Sequence, residues 1–463
     1  MPYYKDLRNP RLFSEDEKDW VSRRLLDLRA RLKEAPPTGV PNRSLRSSLV
    51  IGTWNIRDFD NNKYKHGPRR RESLFYIAEI ISSFDVCAVQ EVNEDLEPLK
   101  SVMRILGHHW QYIATDVTVG VSGNRERMAF VYDTRKVKFR NIAGEIVLPK
   151  SKLLGDDEDE QFARTPFMVS FQAGWFRFSL CTVHIYFGSH SKNSDGYKRR
   201  VAEIEAIAEE MKTRADREDE NYVLLGDFNI KNTMDETMHA LTKAGFVLPP
   251  ELFPSNLLGS KYYDQIAFRT RKNCVTFLSA GVFDYSKAVY KPEHYEHYAN
   301  VLPARHREFK EDGTPKDRGK DKDYYAKRWL TWQMSDHLPL WVELAIDFSD
   351  EHLEHNLSDE AAAKGAPAQL EYEPEEPDTP EKEHDHSNEP RKGFWSRKHR
   401  PKKRKEPMIP AKEKVGTAYP NTPLTLREAC AILKFVASGK ADEVRKLRKT
   451  EARDARKARR RKR

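Results

Sequence analysis

"QMSDHLPLWVEL", residues 333 to 344, is the stretch on which the reading of the fold turns. Its second half alternates apolar residues as a buried strand does, and Asp336 and His337 stand directly before it. Ionisable groups at the mouth of a core strand are costly unless partners meet them. Other strands should therefore bring such partners to the same place.

The rest of the chain repeats the arrangement. Asn55 follows "VIGTW", Glu91 follows "VCAVQ", His184 follows "LCTV", Asp227 and Asn229 follow "YVLLG", and Asp264 follows "KYY". One such residue is explained by turn chemistry, since strand ends carry hydrogen-bonding side chains as routine. Their recurrence is the signal. Strand ends on one rim of packed sheets converge, so these groups are expected to form one cleft of carboxylates, amides and two imidazoles. That inventory suits phosphodiester hydrolysis: carboxylates bind a hard cation such as Mg²⁺, amides donate to phosphate oxygens, and imidazoles move protons near neutrality. An imidazole in this work needs a carboxylate to hold its tautomer, and Asp264 and Glu126 are available.

Around these sites strands and helices intermix from about residue 48 to 348. "SLVIGTWNI", "DVCAVQEV", "PFMVSFQAG", "FRFSLCTVHIY", "YVLLGDF", "YDQIAFR" and "VTFLSAGVF" read as strands, and "RMAFVYD" with "KVKFRNIAGEIVL" as adjacent strands joined by a turn. "RESLFYIAEIISSF", "YKRRVAEIEAIAEEMKTRA" and a segment near "TMDETMHALTKAG" read as helices. Many strands with few helices predict two packed sheets with outer helices, not a doubly wound parallel sheet. Before them, residues 1–47 hold a helix opened by a capping box of Ser14 and Glu17, expected to dock on the main domain.

The chain has 463 residues, with 81 Lys and Arg against 72 Asp and Glu, a formal net charge of +9. A basic balance favours polyanionic partners if it is concentrated on one surface. Cys87, Cys181, Cys274 and Cys430 lie too far apart for a zinc or disulfide framework and read as free thiols. The opening residues carry no secretory apolar core and no run approaches membrane-spanning length, so no stable membrane insertion and a cytoplasmic location are expected.

The blocks "TWNIRDF", "AVQEV", "NRERMAF", "TVHI", "LLGDFN", "YDQIAF" and "MSDHLPLWVEL" resemble, in order over residues 50–346, those of the endonuclease/exonuclease/phosphatase superfamily. The resemblance implies a four-layered α/β sandwich, two mixed β-sheets flanked by helices, with Mg²⁺-dependent phosphoesterase activity; Mn²⁺ or Ca²⁺ are alternatives. The details are similar to deoxyribonuclease I, whose pattern has two carboxylate-supported histidines. Here His184 would pair with Glu126, and His337 with Asp264. The resemblance makes Glu91 the principal metal ligand, helped by Asn55 and Asp336. Asp227 and Asn229 would orient water and phosphate, and Arg164 in "FARTPF" matches a phosphate-contacting arginine. Asn55 and Asn229 would also bind phosphate. Arg164 reads equally well as a surface residue beside the acidic "GDDEDE" loop. His337 would be the base and His184 the acid, roles that sequence leaves exchangeable, with Asp227 as another candidate base. DNA is the expected substrate, RNA an alternative. A lipid or small phosphate ester, as in the neutral sphingomyelinase branch, is the second reading, because that branch also has a histidine at the His184 position.

Two regions stand outside the pattern. Residues 285–332 form a long insertion rich in Lys, Arg, Tyr and Trp. It reads as a nucleic-acid groove or as aromatics packing the insertion onto the domain. Residues 349–420 read as a disordered linker, acidic and then basic, and 421–463 as a short basic helical segment.

Overall fold

Eight of the eleven strands are buried along nearly their whole length; Trp110–Ala114, Lys138–Glu145 and Thr276–Val282 are more exposed. The computed structural model describes residues 2–59, 64–118, 125–154, 160–218, 220–271, 275–303 and 318–350, with 353 and 356. One sheet has six strands in the order β10-β11-β1-β2-β4-β3 and the other five in the order β5-β6-β7-β8-β9. The strands are β1 (Ser48–Phe59), β2 (Val86–Val92), β3 (Trp110–Ala114), β4 (Arg127–Asp133), β5 (Lys138–Glu145), β6 (Phe167–Ala173), β7 (Phe176–His184), β8 (Asn221–Asp227), β9 (Asp264–Arg269), β10 (Thr276–Val282) and β11 (Leu340–Ala345). Leu49, Ile51, Ala88, Phe130, Phe171, Phe178, Leu180, Leu225, Ile266 and Val342 fill the space between the sheets.

Outside the first sheet lie α1 (Glu15–Leu32), α2 (Arg71–Ile81) and α3 (Glu97–Leu106), which cover Val50, Trp54, Cys87 and Val89. Outside the second lie α4 (Asp195–Glu218) and α5 (Glu236–Lys243), which cover Cys181, Val183 and Leu224. The architecture is the four-layered α/β sandwich expected from the sequence. Ser14 and Glu17 close the capping box at the start of α1, whose Leu25 and Leu28 join the outer core with Ile77 and Ile81 of α2.

One pairing is corrected. The strands of "RMAFVYD" and "KVKFRNIAGEIVL" are consecutive but do not pair: β4 lies in the first sheet between β2 and β3, and β5 opens the second. The turn between them is where the chain crosses sheets, and Val137 at that point is buried between them. Cys87 and Cys181 are buried free thiols; Cys274 and Cys430 lie outside the described residues. So do 304–317 of the insertion and, apart from the scattered positions above, the tail segments 349–420 and 421–463. Among the described residues no helix is long and apolar enough to cross a membrane.

Strand direction gathers the site. β1 runs parallel to β2, and β7 to β8, so Asn55, Glu91, His184 and Asp227 lie toward their carboxyl ends. β4, β9 and β11 run antiparallel to those neighbours, so Glu126, Asp264 and the 335–337 segment, which precede or open them, arrive at the same rim.

Candidate active site

On the second sheet three adjacent strands supply one row: His184 pairs in register with Asp227, and Asp227 with Asp264. Gly226 makes this possible. Its φ of 129° lies where side chains are strained, and a Cβ there would stand 2.2 Å from Val183 O. Asp227 Oδ1 accepts from Asn229 N at 2.8 Å. The Asn229 side chain, expected at phosphate, donates Nδ2–H to Ile185 O at 2.8 Å and so ties the residue after His184 to the end of β8.

On the first sheet the register of β1 with β2 shifts between Asn55 and Phe59, and that of β2 with β4 between Val89 and Val92. Glu91 sits in this irregularity with φ 58°. Strain of this kind persists where the surroundings enforce it, and here two donors do. Asn55 Nδ2 donates to Glu91 Oε1 at 3.0 Å, and Asp58 N donates to Oε2 at 2.7 Å. Asn55 Nδ2 also donates across the sheets to Asp227 Oδ2 at 3.0 Å. Both sheets therefore meet at one amide.

The two imidazoles flank Asp227. His337 Nδ1 lies 2.7 Å from Asp264 Oδ2, and the same oxygen accepts from Ser255 Oγ at 2.7 Å. Burial opposes a charge on His337, but Asp264 and then Asp227 overcome it and raise its pKa well above 6.5. His184 Nδ1 lies 3.0 Å from Glu126 Oε2, close but out of line for a hydrogen bond. The distal Nε2 atoms of His184 and His337 stand 3.6 and 3.8 Å from Asp227 Oδ2. Glu126 also accepts from Arg164 Nε at 2.7 Å. Burial pushes the Glu126 carboxyl up, yet His184 and Arg164 together carry it down to about 2. Arg164 is neither an exposed surface residue nor isolated: its side chain is 10% exposed and partners the carboxylate behind His184.

Three groups that sequence reading missed hold this arrangement. Ser335 Oγ donates to Asn55 O at 2.6 Å and accepts from His337 N at 3.0 Å, locking the 335–337 segment to β1. Ser255 fixes Asp264 from the loop before β9. Arg200, wholly buried on α4, donates to Asn229 O and Ser189 O, pinning the loop after His184. Hydroxyls in turns and a lone helical arginine carry no sequence signal distinguishing them from ordinary surface residues.

The donor set suits a divalent cation. Burial raises the pKa of Glu91, and Glu126 and Asp336 raise it further, against His184. Glu126 is paired with Arg164 and Asp336 with Arg57, whereas the hydrogen bonds that Glu91 accepts come from a side-chain amide and a backbone N–H. Asn55 Oδ1 is buried without a partner, a further oxygen ligand of the type hard cations take. Glu91, Asn55 and Asp336 could thus hold the ion. One ligand atom from each of Asp227, Asp264 and His337 also lies within 4.8 Å of the others; Asp264 Oδ2 is taken there by His337 Nδ1 and Ser255, while Asp264 Oδ1 is buried without a hydrogen-bond partner.

Among solved structures, an endonuclease/exonuclease/phosphatase family protein from Bacteroides thetaiotaomicron matches 65% of this chain and 99% of its own at 18% identity, TM-score 0.41. A mannosyl-6-phosphatase of the same organism matches 64% of this chain and 99% of its own at 17% identity, TM-score 0.39. The human Nocturnin catalytic domain matches 66% and 97% at 14% identity, TM-score 0.38. No family model and no curated protein matches. The fold stands on the strand order of this chain, and its chemistry on the residues of this rim.

Proposed function

We propose that this chain is a divalent-cation-dependent phosphodiesterase of the endonuclease/exonuclease/phosphatase superfamily, cleaving DNA or RNA with little sequence preference. The observation that carries the reading is Asp227 standing between two histidines, each with its own buried carboxylate, on a rim shared with Glu91.

Glu91, Asn55 and Asp336 would hold a Mg²⁺, which would supply charge stabilisation at the phosphate and departing oxygen. The rest is the work of the side chains. His337 takes the proton of the attacking water at Nε2, and Asp264, on the opposite nitrogen, stabilises the imidazolium that forms. Asp264 and Asp227 raise the pKa of His337, and a cation bound beside Asp336 would oppose that rise. His184, backed by Glu126, gives a proton to the leaving oxygen. Asp227 orients the water, and Asn55 fixes Asp227 and Glu91 relative to each other. Arg164 holds Glu126 charged, and Asn229 holds the backbone beside His184.

The excess of Lys and Arg over the chain favours a polyanionic substrate. Purified protein is offered plasmid DNA, single-stranded DNA, RNA, a sphingomyelin analogue and a sugar phosphate, with Mg²⁺ or EDTA. Cleavage of nucleic acid alone, abolished by EDTA, is expected. Turnover of only the lipid or the small ester overturns the substrate assignment, and turnover undiminished by EDTA overturns the metal dependence.

A further inference from the structure

The inner end of the insertion reaches the wall of the cleft that Asp336 forms. Trp332 packs against Arg57, whose guanidinium carbon lies 3.9 Å from the indole centroid. Trp332 also stacks on His66, with centroids 4.4 Å and planes 13° apart, and Tyr64 tilts against the same indole at 5.0 Å. Arg57 donates Nη1–H to Thr331 Oγ1 at 2.7 Å and stands 3.4 Å from Asp336 Oδ2. Its backbone N–H donates to Ser335 Oγ at 3.2 Å, so this arginine is fixed to the catalytic segment itself.

Most of the insertion's aromatics have another task. Tyr290, Tyr298, Tyr325 and Trp329 are buried and pack on one another and against the outer core of α1 and α2. Trp332 and Tyr64 stand apart from that cluster, and Tyr64 is 48% exposed. A guanidinium is always charged, and its flat face held on an indole leaves its forked edge for an anion. Its present partner, Asp336, is a half-exposed carboxylate at 3.4 Å, a weak pair. The chemistry that replaces it is a phosphate, which the fork fits. An exposed tyrosine beside a bound phosphate offers the stacking face that single-stranded nucleic acids use.

We propose that Arg57, Trp332 and Tyr64 form a nucleotide subsite, in which Arg57 binds the phosphate next to the scissile one and Tyr64 stacks on the attached base. Trp332 is a positioning residue that holds Arg57. The subsite rests on the nucleic-acid reading and makes single-stranded segments, of DNA or RNA, the form the cleft takes.

The test is binding by the full chain in EDTA, where nothing is cut, read by fluorescence anisotropy of labelled single-stranded hexamers of DNA and RNA. Arg57→Ala is expected to weaken binding at least fivefold and to lower the slope of log K against log salt by about 0.7. Arg57→Lys keeps the charge without the fork, and should recover the slope but not the affinity. Tyr64→Ala should weaken binding about fivefold for the normal hexamers and not for an abasic one. Arg140→Ala, a salt-bridged residue of β5, controls for charge alone and should bind as the wild type does. Affinities of Arg57→Ala and Tyr64→Ala within twofold of wild type overturn the subsite, as does a loss for Tyr64→Ala that is equal on abasic hexamers, or a wild type that binds none of them. Hexamer binding without hydrolysis in Mg²⁺ leaves the subsite standing and condemns the phosphodiesterase reading.

Discussion

Replacing Asp264 by Asn changes one atom of a buried contact and so isolates what the carboxylate does for His337. The contact is 2.7 Å and both groups are buried, where a charge-assisted hydrogen bond contributes roughly 1.5–3 kcal/mol, about 10- to 150-fold. Misplacing the tautomer of a general base adds to this, within the roughly 10²–10⁴-fold that such catalysis supplies. A fall in kcat of at least about 100-fold is therefore expected. The sign in pH is also fixed. Asp264 raises the pKa of His337, so its loss moves the rising limb of kcat against pH to lower pH. In wild type, the stability His337 gains from its carboxylates is fully present below pH 6.5 and is lost as pH rises through its folded pKa. Ser255→Ala, which removes one neutral hydrogen bond worth about 1 kcal/mol, should cost only about fivefold. The assay is hydrolysis of a chromogenic phosphodiester in Mg²⁺ across pH, with melting temperatures confirming that both variants fold. Activity of Asp264→Asn within about threefold of wild type, or a rising limb that does not move, refutes the role given to this pair.

Other consequences lie further from the chemistry. Arg43 donates to both Asp85 and Asp133 at 2.6 Å, two fully buried carboxylates at the end of the first sheet remote from the cleft. Arg43→Ala should destabilise by about 3 kcal/mol in urea unfolding, since it leaves buried charge short of partners, while kcat of the folded protein is retained. Tyr298 is fully buried against Tyr290, Tyr325 and Trp329, and its hydroxyl accepts from Trp20 of α1 at 3.1 Å. Tyr298→Ala should cost about 3–5 kcal/mol and make the insertion sensitive to proteolysis. Glu126, held down to about 2 by His184 and Arg164 against its burial, contributes stability that is present above about pH 4.5 and lost as pH falls through about 2. Glu126→Gln should flatten that acid limb of the stability curve.

Much of the fold and the candidate site was legible because strand periodicity and strand-end chemistry coincide in this chain. Runs such as "YVLLGDFN" announce both a core strand and the polar group that follows it, whereas the pairing of His337 with Asp264 was implied by the family resemblance; the two groups lie 2.7 Å apart. What was not legible has physical reasons. β3 is a short edge strand with only Trp110 buried, too weakly patterned to be seen. The β4 to β5 crossing looks like a hairpin because a turn between strands does not say which sheet receives the second strand. Ser335, Ser255 and Arg57 act through contacts between segments far apart in sequence, and nothing local marks them. The contact of Arg164 with Glu126 was not legible, because the two residues stand 38 positions apart and nothing local marks the pair.

If these rim residues form one cation-dependent hydrolytic site, Glu91 is the residue whose charge it should need. Glu91→Gln keeps the volume and the hydrogen bond from Asp58 N while removing the charge that crowds Glu126 and Asp336. Single-turnover cleavage of nucleic acid is measured for wild type and Glu91→Gln across a Mg²⁺ titration. Saturable Mg²⁺ dependence is expected in wild type, and in the variant a rate lower by about 10³-fold or a far higher Mg²⁺ requirement. Equal rates at equal Mg²⁺ would contradict it.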